Sequence, residues 1–284
     1  MITPGQINVL TVDRETPLGY ILKDNSEEIF MHMNDSEHKQ LAKGDIVKAF
    51  VFYDNKGRLA ATLKTPKLVL GERKLLEVTG ITKRLGVFVS LGILKDLLVP
   101  YDFLPKSFID WPLMGDKLFV VMETRGRLSG NLVKPRSVEN KIISKIGEFI
   151  YAYVAEIDEN CYYLVSSDLE VFYMPKQQAN KPLRLGEAVS GEVYYIGEKY
   201  ASIKLTENKE DRIEDNAKEL MDYLDKNSSF PLDAKSSAED VQKLFKMSRK
   251  DFKNALGYLY KKRIVTFENG STILVKKGKE RNGK

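Results

Sequence analysis

The stretch KGDIVKAFVFYDNKGRLAATLK, residues 43–64, reads as two β-strands joined by a tight polar turn. Val, Ile, Phe and Tyr dominate the flanks, and Asp-Asn-Lys-Gly sits between them, the composition of a hairpin. The same phrase returns as MGDKLFVVMETRGRLSGNLVK at residues 114–134 and more loosely as LGEAVSGEVYYIGEKYASIKLT at residues 185–206. The glycines that open it, Gly44, Gly115 and Gly186, are each 71 residues apart. A period of that length is too long for a solenoid unit and fits a small domain repeated in tandem.

Working outward, each copy resolves into short strands. The first reads as GYILKD, EEIFMHM, IVKAFVFYD and RLAATLK, with a helical turn in DSEHKQLAKGD. The second holds two strands in KLLEVTGITKRLGVFVSLG, a third in KDLLVPYDFL, and KLFVVME and RLSGNLV. The third reads as FIYAYVAEID, CYYLVSS, EVFYMP, AVSGEVYYIG and YASIKL. Five strands with a short helical link between the third and fourth is the layout of an OB-type barrel. After Leu205 the apolar period changes from two to 3.6: Ile213, Ala217, Leu220, Met221 and Leu224 share a helix face. Ser237 and Ser248, each followed three residues later by an aspartate, open two further helices. The last helix is expected to bury Phe252, Ala255, Leu256, Leu259 and Tyr260, and IVTFENGSTILV to form a hairpin at Asn269-Gly270. Three helices and a hairpin make a winged helix.

The expected fold is therefore multidomain and mainly β: three tandem five-stranded S1/OB-type β-barrels, residues 1–66, 67–138 and 139–208, then an α+β winged-helix domain, residues 209–284.

The copies resemble S1-type RNA-binding domains. The second carries GVFV at residues 86–89, the Gly-Asp pair and GRLS at 126–129; the first carries FMHM with His32 in the histidine position, and GRLAATL. There are departures. Ile21 stands in the aromatic slot of the first copy, Pro100 in the histidine slot of the second, and the third lacks the opening glycine. Three S1-like barrels followed by a winged helix resemble the conserved virulence factor B family of bacterial regulators. That resemblance implies RNA binding, an effect on gene expression including virulence genes in pathogens, and no catalysis.

Charge points the same way. Residues 1–208 hold 27 basic and 27 acidic residues, whereas residues 241–284 hold 13 basic and three acidic. A basic terminal module suits a polyanion, the alternative being a solvated tail. One cysteine, Cys161, cannot form an internal disulfide, no apolar run approaches ~18 residues, and no secretory leader is evident, so a cytoplasmic protein with no membrane contact is expected. Two histidines and one cysteine give no zinc cluster, and no Gly-rich loop ends in Gly-Lys-Ser or Gly-Lys-Thr. Neither an enzyme, a metal nor a cofactor is expected.

Barrels bind single strands by stacking bases on exposed aromatics while Lys and Arg follow the phosphates. The strongest such set is Phe88 with Lys83, Arg84, Arg125 and Arg127. Alternation leaves open whether Phe88 faces outward or into the core, and whether Tyr101 stacks on bases or packs its own loop. His32 falls on the binding face by analogy. Arg58 and Arg127 occupy one place in the repeated phrase, where they either contact phosphate or solvate a strand end. In the acidic third barrel one tyrosine of each pair is expected outward, with Tyr163 and Tyr173 as candidates beside Lys176, Lys199 and Lys204. The recognition helix offers Arg249, Lys250, Lys253, Asn254, Lys261, Lys262 and Arg263, and the wing Lys276, Lys277 and Lys279. Third-barrel aromatics and recognition-helix cations are expected to form a composite site, which charge reversal of Lys250 and Lys253 would test. The expected partner is single-stranded RNA. The alternatives are duplex DNA held by the winged helix in transcription, and a scaffold docking ribosomal or RNA-decay proteins.

Overall fold

The computed structural model describes residues 2–24, 27–206 and 209–275. One compact unit ends at Leu205 and a second begins at Thr206. In the first unit, β1 (Ile7–Thr16), β2 (Gly19–Asp24), β3 (Glu27–His32), β4 (Ile46–Tyr53) and β5 (Leu59–Thr62) close a barrel in the order β1-β2-β3-β5-β4. The third copy closes identically through β11 (Phe149–Ile157), β12 (Cys161–Ser166), β13 (Val171–Pro175), β14 (Ala188–Ile196) and β15 (Ala201–Leu205). The sequence reading misses β1, whose alternation is masked: Ile7 and Val9 lie on the exposed face, and only Leu10 and Val12 enter the core.

The middle copy differs at one seam. Its strands β6 (Arg73–Thr82), β7 (Gly86–Val89), β8 (Leu97–Pro100), β9 (Lys117–Thr124) and β10 (Leu128–Leu132) run β10-β9-β6-β7-β8. Both flanking barrels close with a parallel ladder, Phe30 against Ala60 and Phe172 against Ala201. Here β8 and β10 meet through side chains without such a ladder: a Cβ on Gly130 would stand 2.9 Å from Val99 Cγ2.

The opening phrase recurs because its turn is built from side chain to backbone. Asp45 Oδ2 accepts from the Ala42 N–H at 2.8 Å, Asp116 Oδ2 from Leu113 at 2.7 Å, and Glu187 Oε2 from Arg184 at 3.0 Å. The glycine between donor and acceptor is left-handed each time, with φ of 96°, 87° and 78° at Gly44, Gly115 and Gly186.

Barrels dock through strands buried on both faces, which read as unbroken apolar runs. In β4, Ala49 and Val51 enter the first core while Phe50 and Phe52 enter the second barrel's cluster. In β12, Tyr162 and Leu164 face their own core while Cys161, Tyr163 and Val165 pack with Phe119 and Val133 of the middle copy. Backbone bonds lock these joints: Leu70 N–H to Gly5 C=O at 2.8 Å, Lys117 N–H to Gly186 C=O at 3.0 Å.

In the second unit, α1 (Lys209–Asn227), α2 (Ala238–Phe245) and α3 (Arg249–Lys261) pack with a small sheet of β16 (Ser229–Phe230), β17 (Val265–Glu268) and β18 (Ser271–Leu274). Ser237 and Ser248 accept from the N–H groups of Asp240 and Asp251, the expected caps. Asn269 and Gly270 both have positive φ, 48° and 77°, as a type I′ turn requires. The short strand β16 was not legible. Tyr260 corrects the sequence reading: it is 56 % exposed and stacks on Phe267 of the wing at 5.3 Å instead of entering the core.

Candidate nucleic-acid interface

The ladder between β7 and β8 decides which residues of the middle barrel face out. Val87 pairs with Val99, and both point into the core; Phe88 pairs with Leu98 on the opposite face. On its other side Phe88 faces Gly80, whose missing side chain leaves room for the ring. Phe88 is thus half-buried on the outer surface, in a groove of about 550 Å³ that also takes in Phe103, Lys95, Arg125 and Arg127.

Within its lining one cation lies over one ring, and the expected Lys83, Arg84 and Tyr101 stand outside it. The Arg125 guanidinium lies 4.7 Å from the Phe103 centroid and pairs with Glu123 at 3.2 Å. Lys83 and Arg84 are exposed on the β6–β7 turn, with the Lys83 ammonium 5.3 Å from the Phe108 ring. Tyr101 packs its own loop, against Phe108 and Trp111 at 6.3 and 5.7 Å, and remains 41 % exposed. Phe103, Phe108 and Lys95 were missed. The strand expected over KDLLVPYDFL ends at Pro100, and Phe103 and Phe108 lie in the short 3-10 turns Tyr101–Phe103 and Phe108–Asp110 beyond it; Lys95 donates across the joint to the Tyr53 carbonyl.

In the first barrel His32 is exposed, caps the turn Met33–Asp35 by accepting the Asn34 N–H at 3.1 Å, and stands edge-on to Phe30. Arg58 is tied to Asp54 at 2.7 Å, while Arg127, its counterpart, is exposed on the groove wall. The Arg58 backbone N–H holds the Asp54 carboxyl below the usual carboxylate range.

The third barrel departs from expectation. Tyr163 stands in the register place of Phe88, yet it is buried, 9 % exposed, and so is Tyr162. The reason is tertiary: the turn Pro135–Ser137 and the middle copy cover that face, with the Arg136 guanidinium 5.3 Å from the Tyr163 ring. Tyr173 is half-buried against Tyr163 at 6.0 Å. Lys176 lies over Tyr162 at 5.4 Å, and Lys199 and Lys204 are exposed. The exposed aromatics are instead Tyr151, Tyr194 and Tyr195. A bulge between Val193 and Tyr195 turns two consecutive tyrosines outward, which strict alternation cannot foresee.

Burial pushes the Tyr163 phenol up from 10.0 to about 12. The folded chain then keeps a proton that the unfolded chain releases earlier, so this group's contribution falls as pH rises from about 10 to about 12. An ultraviolet titration is expected to show one tyrosine ionising late, and Tyr163→Phe to remove that phase; an unchanged titration would contradict the burial.

On the winged helix Arg249, Lys250, Lys253, Lys261, Lys262 and Arg263 are exposed. Lys262 is engaged with the Tyr258 hydroxyl and lies 4.1 Å from its ring; Asn254 is half-buried. Lys276, Lys277 and Lys279 lie outside the described residues. Among the described residues no cluster of His, Cys, Asp or Glu could hold a metal ion, and no helix is long and apolar enough to cross a membrane.

Comparison with known proteins agrees with this architecture. An S1 domain model matches residues 4–64, a model for the CvfB first S1-like domain residues 74–131, and a CvfB-like winged helix model residues 218–274. These are nucleic-acid-binding domain types. The model of the first S1-like domain falls on the second barrel. The chain is 31 % identical over 281 residues to the Bacillus subtilis protein YitL, covering 95 % of this chain and 93 % of that one. It is 29 % identical over 286 residues to conserved virulence factor B of Staphylococcus epidermidis, covering 96 % and 95 %. A crystal structure of a multidomain protein with nucleic acid binding domains from Streptococcus pneumoniae superposes with a TM-score of 0.62 at 23 % identity, over 96 % of this chain and 98 % of that chain.

Proposed function

We propose, from the premise that the chain belongs to the conserved virulence factor B family, that it binds single-stranded RNA and acts in post-transcriptional control of gene expression, including virulence genes where the organism is a pathogen. The observation that carries this reading is the groove of the middle barrel, where the outward ring of Phe88 lies among Arg125, Arg127 and Lys95. An exposed ring offers a platform to any base, and flexible cations track a backbone of changing direction; a rigid duplex hides its base faces and cannot use the ring. Exposed lysines of α3 add sequence-independent attraction to phosphate, and sites in tandem gain affinity through effective concentration.

The test is a titration of the full chain with labelled single-stranded RNA, single-stranded DNA and both duplexes at several salt concentrations. Preference for single strands, with affinity remaining at high salt, is the expected result. Preference for duplex DNA would transfer the function to the winged helix and transcription. Weak binding to every probe, abolished by moderate salt, would favour a protein-docking scaffold.

A further inference from the structure

The joint between the first two barrels contains a cleft that neither barrel forms alone. It has a volume of about 240 Å³ and is walled by Phe30, His32 and Arg58 from the first barrel and by Leu94 and Lys95 from the second. Phe52 and Lys95 also line the groove beside Phe88, so the two depressions share a wall. Lys95 crosses the joint, its ammonium donating to the Tyr53 carbonyl. Arg127 arrives from the other side, with Nη2 3.4 Å from where a Cβ on Gly57 would stand. Burial lowers Lys95 below the ordinary lysine range, Asp54 opposes that shift, and Arg127 adds to it. Of the carboxylates beside them, Asp54 is already held by Arg58 at 2.7 Å and by the backbone N–H groups of Lys56 and Arg58, and Asp96 accepts from the Thr79 hydroxyl at 2.9 Å. Two cations of the second barrel therefore face the same turn of the first and repel each other, a repulsion that a bound anion relieves.

A second observation is independent of charge. Asp35 lines the same cleft, is 7 % exposed, and its Oδ1 has no hydrogen-bond partner. The side chain is held there by its backbone, whose carbonyl accepts from the Leu63 N–H at 2.8 Å and the Thr62 hydroxyl at 3.3 Å. An orphaned buried carboxylate oxygen calls for a donor. Phosphate has none to give and would be repelled. A ribose 2′-hydroxyl can donate, and DNA lacks it.

We infer that one ribonucleotide strand passes without interruption from the first barrel to the second through this cleft, with a phosphate at Lys95 and Arg127 and a ribose 2′-hydroxyl donating to Asp35. The inference rests on the single-strand reading above and adds a path and a means of distinguishing RNA from DNA.

The experiment uses fluorescence anisotropy with the full chain and oligo(U) RNA of about 20 nucleotides, enough to span two barrels at ~4–16 nucleotides each. The same lengths of oligo(dU) and of 2′-O-methyl oligo(U) serve as probes lacking the donor. Wild-type protein is expected to bind oligo(U) about tenfold more tightly than either, the scale of one hydrogen bond to a charged group. Asp35→Ala is expected to abolish that ratio while leaving DNA affinity unchanged. Lys95→Met should weaken RNA and DNA alike and lower the salt slope by about one, and Lys95→Arg should restore both. The 2′-O-methyl probe needs no variant, so a poorly folding Asp35→Ala does not decide the matter. If wild type binds oligo(U) and 2′-O-methyl oligo(U) equally, or Lys95→Met changes nothing while Phe88→Ala weakens binding, the junction path is wrong and the single-strand reading survives. If wild type binds no single strand, both fall.

Discussion

Gly86→Ala is expected to destabilise the middle barrel by about 3 kcal/mol or more, among the largest effects a single methyl group can have. Gly86 has φ of 128°, and a Cβ there would lie 2.1 Å from Val99 O, 2.7 Å from Tyr101 N and 2.9 Å from Pro100 C. All three are backbone atoms of the neighbouring strand and its exit, so no side chain can swing aside. Gly19 meets the same wall in the first barrel, with a Cβ 2.1 Å from Met31 O. This is the physical content of the glycine that opens GVFV in the second copy and GYIL in the first. In the third copy Cys161 pairs with Pro175 where Gly86 pairs with Pro100, and its backbone has no positive φ. The control is Gly115→Ala: φ is 87°, but nothing lies within 4 Å of the new Cβ, so only the left-handed conformation is penalised, by roughly 1–2 kcal/mol. Urea denaturation followed by circular dichroism separates the two. A Gly86→Ala midpoint no lower than that of Gly115→Ala would show that β7 and β8 are not packed as described.

Phe88→Ala is expected to lower affinity for single-stranded RNA by roughly ten- to a hundredfold, since a base stacked on a ring is worth ~1–3 kcal/mol. The loss should persist at high salt, because stacking releases no counterions. Arg127→Gln should behave oppositely, weakening binding at low salt and reducing the salt slope by about one. The competing outcome is a stability loss of ~3 kcal/mol with unchanged affinity, the signature of a core phenylalanine. The register of β7 argues against it, because Val87 and Val89, on the other face, fill the core. Measuring melting and binding on the same preparation decides between the two.

Much of this was legible without coordinates. The 71-residue spacing of Gly44, Gly115 and Gly186 marks one domain written three times, because a turn closed by a carboxylate on a backbone N–H needs the same residues wherever it recurs. The capped helices and the Asn-Gly hairpin of the winged helix were readable for the same reason: their determinants are neighbours in the chain. β1 was not, since an exposed apolar pair at Ile7 and Val9 conceals its alternation. Nor was Tyr260, whose ring leaves the core to stack on a wing residue seven positions on.

The candidate site divides along the same line. The amino-acid sequence by itself determined the threefold repeat and its turns, because their determinants are neighbours in the chain, but it left open which face Phe88 takes; the strand register decided that, and it put Phe88 and Tyr163 in equivalent places. Only the tertiary structure decided that Phe88 stays open in a groove while Tyr163 is sealed beneath Arg136 and the middle copy. It alone brought Lys95 and Arg127 to the Asp54 turn and left one oxygen of the Asp35 carboxylate without a donor. Exposure and charge convergence depend on which surfaces meet when barrels dock. Those contacts join residues dozens of positions apart, and no periodicity within one repeat encodes them.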